Sequence, residues 1–265
     1  MFQTAIGRVQ SIIELPPKSL DMWVFVDAGG KANNQRVWGG LAAIGESELY
    51  WIERLLADIG GEDSESSELK GRELETEIIK LAGRKIIEED RRILFWANWL
   101  LDWSEPKSHQ FNKRFGEVLQ SLKPNPHNLN QVAIEAWQKD MAECFEKLKP
   151  VNKHKLLSII LHIQWLISEL KRIQIGSQLK SVHLVVDNEN FPDEARCGTI
   201  IKFFLSAGLQ SSGMDCTLTG TTYREEPTKG SVSVNVRGES KKSVGIRYVD
   251  VLLQAVLRKV MPITE

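Results

Sequence analysis

The sequence has little of what would tie it to an oxidising compartment, a membrane or a strong electrostatic partner. Its three cysteines, Cys144, Cys197 and Cys216, are odd in number and show no CxxC spacing, which excludes a disulfide framework and a zinc knuckle and fits reduced thiols. Lys and Arg number 34 against 35 Asp and Glu, for a net charge of -1. There is thus no global basic field, and any nucleic acid or acidic surface must be held by a local patch. The longest apolar stretch, "LLSIILHIQWLISEL" at 156–170, carries His162 and Gln164 and is too short for a bilayer, so it reads as a core helix. No basic segment followed by an apolar block opens the chain, so a cytoplasmic location is expected and no membrane partner. Neither GxGxxG nor a P-loop occurs, and His109, His127, His154, His162 and His183 show no ligand spacing with the cysteines.

What is present suffices for a full core: 42% of residues are apolar and 26% charged, enough for one sizeable domain. Residues 1–19 end in "ELPPKSL", an extended arm, and 20–265 read as the domain. "MWVFVDAGG", the polar turn "KANNQR" and "VWGGLAAIG" predict a β-hairpin. "ESELYWIERLLADI" places Leu49, Ile52, Leu55, Leu56 and Ile59 on one helical face before the acidic loop "GGEDSESSE". A helix follows over "RELETEIIKLAGRKIIEED", with Gly83 as its candidate break, and "RILFWANWLLDW" at 92–103 is read as a buried strand. Residues 104–180 are mostly helical and form a candidate insertion or cap suited to contact with a protein partner or a second copy. Strands resume at "SVHLVVDNENF", "CTLTGTTYREE" and "SVSVNVRGES", with helices at "DEARCGTIIKFFLSAG" and "GIRYVDVLLQAVLRKV". Strands interleaved with helices make an α/β fold.

Two of these strands run into an aspartate, Asp27 and Asp187, and Asp250 falls on the first turns of the last helix. The C-terminal edge of strands is where open α/β sheets place their sites. Two neighbouring carboxylates repel unless a proton or a cation lies between them, and magnesium takes a few carboxylates while keeping waters for a phosphate. Against this stands the plainer use of such an aspartate as the cap of a turn, which is the commoner role for any one of them alone.

"VFVDAGG", "ELKGREL" at 68–74, "LVVDNEN" at 184–190 and "ESKKSVGIRYVDVLLQAV" at 239–256 together resemble the motif series of the domain-of-unknown-function 3800 family, bacterial and phage proteins grouped with the ribonuclease H-like fold. The resemblance spans roughly residues 20–260 and leaves the helical middle unexplained. It implies a mixed sheet flanked by helices, with Asp27, Glu68, Asp187 and Asp250 as catalytic carboxylates holding Mg2+ or Mn2+ for phosphodiester hydrolysis on DNA or RNA. Lys70, Lys241, Lys242 and Arg247 become the candidates for contact with substrate phosphate.

The chain departs from that pattern where Ala28 and Gly29 stand in place of Glu and Ser, and where Arg247-Tyr248-Val249-Asp250 replaces Gln-Leu-Ala-Asp. These departures leave open a second reading, a nuclease-fold module that binds nucleic acid or a protein partner without catalysis, as in a mobile-element or antiviral defence system. Arg224, Lys229, Arg237, Lys241, Lys242 and Arg247 outnumber Glu225, Glu226 and Glu239 in the segment from Arg224 to Arg247, either as a phosphate-binding patch or as a solvated loop. "KLKPVNKHK" at 147–155 reads as an ordinary connection between helices. Trp96, Trp99 and Trp103 read as core or interface anchors rather than base-stacking platforms.

Overall fold

The computed structural model describes residue 17 and residues 19–32, 35–60, 71–89, 91–101, 131–214, 231–240 and 243–261. Five strands form one sheet: β1 (Leu20–Ala32), β2 (Gln35–Ile44), β3 (Ile93–Leu101), β4 (Leu179–Asp187) and β5 (Ser233–Glu239), in the order β3-β2-β1-β4-β5. β2 runs antiparallel to both β1 and β3, whereas β1, β4 and β5 are mutually parallel. The helices are α1 (Glu46–Gly60), α2 (Thr76–Glu88), α3 (Gln131–Lys147), α4 (Pro150–Ile173), α5 (Glu194–Ser211) and α6 (Val244–Leu257). This is the expected α/β class, a mixed sheet flanked by helices.

Strand alternation sorts the core into two layers. Met22, Val24, Val26 and Ala28 of β1 face one cluster with Trp38, Trp96 and the apolar residues of α3, α4 and α5. Phe25 faces the other, with Val37, Val185 and the apolar residues of α1, α2 and α6. α3 and α4, which lie in the stretch 104–180 read as a helical insertion, and α5, which follows β4, all line the first cluster. Trp96 is fully buried and stacks on Trp165 with ring centroids 4.6 Å apart, while Trp103 lies outside the described residues. Cys144 of α3 and Cys197 of α5 meet as thiols, Sγ to Sγ, at 3.4 Å.

Two local expectations are corrected. β1 does not end at Asp27 but continues to Ala32, because β2 carries the antiparallel ladder on to the Ala32–Gln35 pair after an irregularity between Ala28 and Lys31. What stops near Asp27 is the parallel ladder with β4, whose last pair is Val26–Val186. Gly83 does not break α2, since helical backbone accepts glycine at a modest cost.

α6 is apolar nearly all round, as befits a helix enclosed by sheet and helices: ten of its residues, Gly245 to Val256, are buried. Two close approaches set its height. A Cβ on Gly245 would overlap the Phe25 ring, and one on Gly29 would lie 3.3 Å from Leu253 Cβ. Eight helical residues at about 1.5 Å span about the length of four strand residues at about 3.3 Å, so α6 runs alongside β1 and carries position 250 to the level of Asp27. Gly245→Ala is therefore expected to destabilise the fold by about 1–3 kcal/mol through overpacking. Gly83→Ala, whose Cβ would meet Met261 Cγ at an ordinary 3.6 Å, is expected to stabilise it by about 0.5–1 kcal/mol. Denaturant unfolding of the two variants beside the wild type checks both signs.

Candidate metal and phosphate site

Asp27 and Asp187 come together at the edge where the β1–β4 ladder stops. Both carboxylates are buried, with residue exposures of 0% and 1%. The side chain that joins them is Asn190: its Nδ2 donates to Asp27 Oδ1 at 2.8 Å and to Asp187 Oδ2 at 3.1 Å. Asp27 Oδ1 also accepts from the Ala28 backbone N–H at 2.7 Å. One amide thus supplies two donors to two anions that would otherwise repel across adjacent strands. Asn190 reaches them because the turn after β4 folds back, with its own N–H donating to Asp187 O at 2.8 Å.

Asp250 lies on α6 and is 9% exposed, and among the described residues it does not join Asp27 and Asp187 in a group that could hold a metal ion. Its Oδ2 accepts from the Gly71 backbone N–H at 2.8 Å. Gly71 opens a single 3-10 turn, Gly71–Glu73, pressed flat onto α6: a Cβ there would lie 3.0 Å from both Asp250 O and Val251 Cα. Arg258, just past α6, fixes the same turn by donating to Leu74 O at 2.8 Å and Arg72 O at 3.0 Å. Glu68 and Lys70 precede Gly71 by three residues and one residue in sequence and lie outside the described residues, as do Lys241 and Lys242. Arg247 is described and half-buried on α6, one turn before Asp250.

Sequence reasoning missed three groups. Asn190 was within reach, since an Asn three residues after a strand-ending Asp is the residue a tight turn returns to the strand tip. Lys155 and Arg36 were not. Lys155 sits on α4, in the stretch read as a connection, and its Nζ donates to the backbone O of Glu189. Arg36 of β2 donates through Nε to Gly29 O at 3.4 Å. Burial first, and then the neighbouring Arg36, hold the Lys155 ammonium below its ordinary pKa, while Asp187 and Glu189 pull it back up.

Among the described residues no group of three or more His, Cys, Asp or Glu is gathered closely enough to hold a metal ion. Two buried carboxylates side by side nevertheless suit a hard divalent cation, because magnesium is held by one or two carboxylates plus waters and substrate phosphate. Asn190→Ala is expected to lower Mn2+ affinity by about 10–100-fold, as outer groups that orient a ligand do. Isothermal titration of the variant and the wild type reads that ratio directly.

Among the described residues no helix is long and apolar enough to cross a membrane. No family model matches the chain, and no curated protein matches it. Among solved structures the chain is similar to a crystal structure of a mutant Bst-RNase HIII, at 10% identity and a TM-score of 0.38. The match covers 94% of this chain and 55% of that one, so the chain spans about half of that protein's length. At so low a TM-score no residue role is drawn from the likeness, and the fold class stands on the sheet order and the two helical layers.

Proposed function

We propose that this chain is a metal-dependent phosphodiester hydrolase acting on DNA or RNA, with Asp27, Glu68, Asp187 and Asp250 as its acidic residues. The observation that carries the reading is the pair of buried carboxylates on adjacent parallel strands, bridged by a single amide. The motif series that resembles the domain-of-unknown-function 3800 family supports it, and adds Glu68 and the phosphate contacts Lys70, Lys241, Lys242 and Arg247. Asp27 and Asp187 would hold Mg2+ or Mn2+, with Asp250 and Glu68 completing the acidic edge. A bound divalent ion supplies Lewis acidity and a water deprotonated at neutral pH.

The chain's own residues do the rest. Asn190 fixes the directions of both carboxylates, α6 closes the site from below, and the Gly71 N–H holds Asp250 in one orientation. Val132 and Val151, exposed on α3 and α4, are points at which a protein partner or a second copy could sit.

A second reading has one specific observation in its favour: Asp250 is already engaged by Gly71, as in a site kept for structure. On that reading the chain is a nuclease-fold module that binds nucleic acid or a protein without cutting.

Incubation with single-stranded DNA, duplex DNA, RNA and hybrid in Mn2+ or Mg2+, each beside an EDTA control, separates the two. Metal-dependent, EDTA-sensitive cleavage of at least one substrate is the result expected of the hydrolase. Intact substrates alongside nucleic-acid binding would favour the module.

A further inference from the structure

The cluster has a side that neither the motif series nor the carboxylates explain. α6 packs on one face of the sheet, whereas two cations stand on the opposite face beside the carboxylate pair. Lys155 projects from the second turn of α4, and Arg36 stands on β2 two residues before Trp38, whose ring lies on the α4 side of the sheet. Each donates to a backbone carbonyl, Lys155 to Glu189 and Arg36 to Gly29. These carbonyls belong to the two segments that frame the carboxylate pair: Glu189 precedes Asn190, and Gly29 follows Asp27 by two residues. The cations are thus tied to the two lips of the site.

A cation on each lip of the site favours an anion that reaches both. Their chemistries are complementary for one anion in particular. Arg offers a planar fork of donors and Lys a compact point charge, a combination suited to phosphate oxygens. A chain with a net charge of -1 has no long-range field to hold a polyanion, so such local contacts must supply the affinity.

We propose that Lys155 and Arg36 form a phosphate subsite on the α4 side of the carboxylate pair, seating a backbone phosphate of a nucleic-acid strand that crosses the edge between β1 and β4. The identity of the strand rests on the hydrolase reading above, but the subsite does not need catalysis. It is separate from the Lys70, Lys241, Lys242 and Arg247 contacts, which the motif resemblance alone implies.

The test is fluorescence anisotropy of a 5′-fluorescein-labelled 12-nucleotide DNA strand in Ca2+, from 50 to 200 mM salt, with Mn2+ titration calorimetry and cleavage assays run on the same proteins. Lys155→Met and Arg36→Met are each expected to weaken binding about fivefold at low salt and to flatten the log K against log salt slope by about 0.7 per lost contact. Lys155→Arg is expected to keep the slope, and manganese affinity to stay at the wild-type value in all three. Wild-type affinity and slope in both Met variants would overturn the subsite, as would a wild type that binds no strand at 50 mM salt. If the Met variants lose the slope while the wild type neither binds manganese nor cleaves, the subsite stands and the hydrolase falls. If manganese binding and cleavage are intact and the slopes do not change, the hydrolase stands and the subsite falls.

Discussion

Asp27→Asn is expected to reduce metal-dependent cleavage by about a thousandfold while raising, not lowering, the stability of the fold. The loss follows from the position of the residue: Asp27 shares the Asn190 amide with Asp187, and an amide in its place cannot supply a negative oxygen to a cation. The gain follows from the same geometry. Two buried anions on neighbouring strands repel, and an isosteric Asn keeps an oxygen able to accept from Ala28 N–H and from Asn190. Removal of one charge is then worth about 1 kcal/mol, or about 2–4 °C in Tm for a chain of this size. Opposite signs for activity and stability are the mark of a residue kept for function. Cleavage rates and thermal melts on one protein preparation measure both, and a variant with normal cleavage or a large fall in Tm would contradict the assignment.

The second large effect is on acid stability and comes from His162, which lies in the middle of α4. Its ring is fully buried, and burial lowers its pKa from 6.5 to about 3. Trp96 Nε1–H donates to its Nδ1 at 2.6 Å, so the neutral ring must carry its proton on Nε2, and protonation would set two donors against each other. The sign is fixed by linkage. Between pH 6.5 and about 3 the unfolded chain binds a proton at this residue and the folded chain does not, so stability rises with pH across that window and is lost as pH falls. The slope approaches about 1.4 kcal/mol per pH unit well below 6.5, for a total on the order of 4–5 kcal/mol at the acid end. Carboxylates also titrate there, so the measurable quantity is the difference from His162→Asn, which keeps an acceptor near Trp96 and has no proton to gain. Urea unfolding at pH 7, 6, 5 and 4 should show the wild type losing stability faster than the variant; parallel curves would mean that the ring opens to water before it titrates.

How much of this was legible in the residues differs between fold and site. β-branched and aromatic runs ending in glycine or aspartate announced β1, β2 and β4, and the choice of strand for 92–103 is met by β3, whose nine residues, Ile93–Leu101, pair along β2. The apolar face of α1 was readable from spacing alone. The end of β1 was not, because the ladder that outlasts Asp27 belongs to β2 and depends on the hairpin register. Half-buried His183 could be read only as packed or partly exposed. In the fold it stacks on Trp23 of β1 at 5.4 Å, a contact between strands distant in sequence, and meets Ser181 Oγ, two residues earlier on β4, at 2.7 Å.

The site shows the same division. Asp27, Asp187 and Asp250 could be singled out because each sits at a strand edge or on a helix that the pattern already located. Asn190 carried a weaker local signal in the turn after β4. Lys155 and Arg36 carried none, since nothing in "KLKPVNKHK" or "NNQRVW" reveals that α4 and β2 bring a charge to each of the two segments beside the carboxylates. Glu68, Lys70, Lys241 and Lys242 fall outside the described residues, and their roles remain proposals carried by the motif resemblance.

A manganese-soaked crystal, with diffraction collected at the metal's absorption edge, tests the central claim most directly. The account predicts an anomalous peak between the carboxylates of Asp27 and Asp187. Manganese bound elsewhere, with the Asn190 bridge undisturbed and no density between the two aspartates, would contradict it.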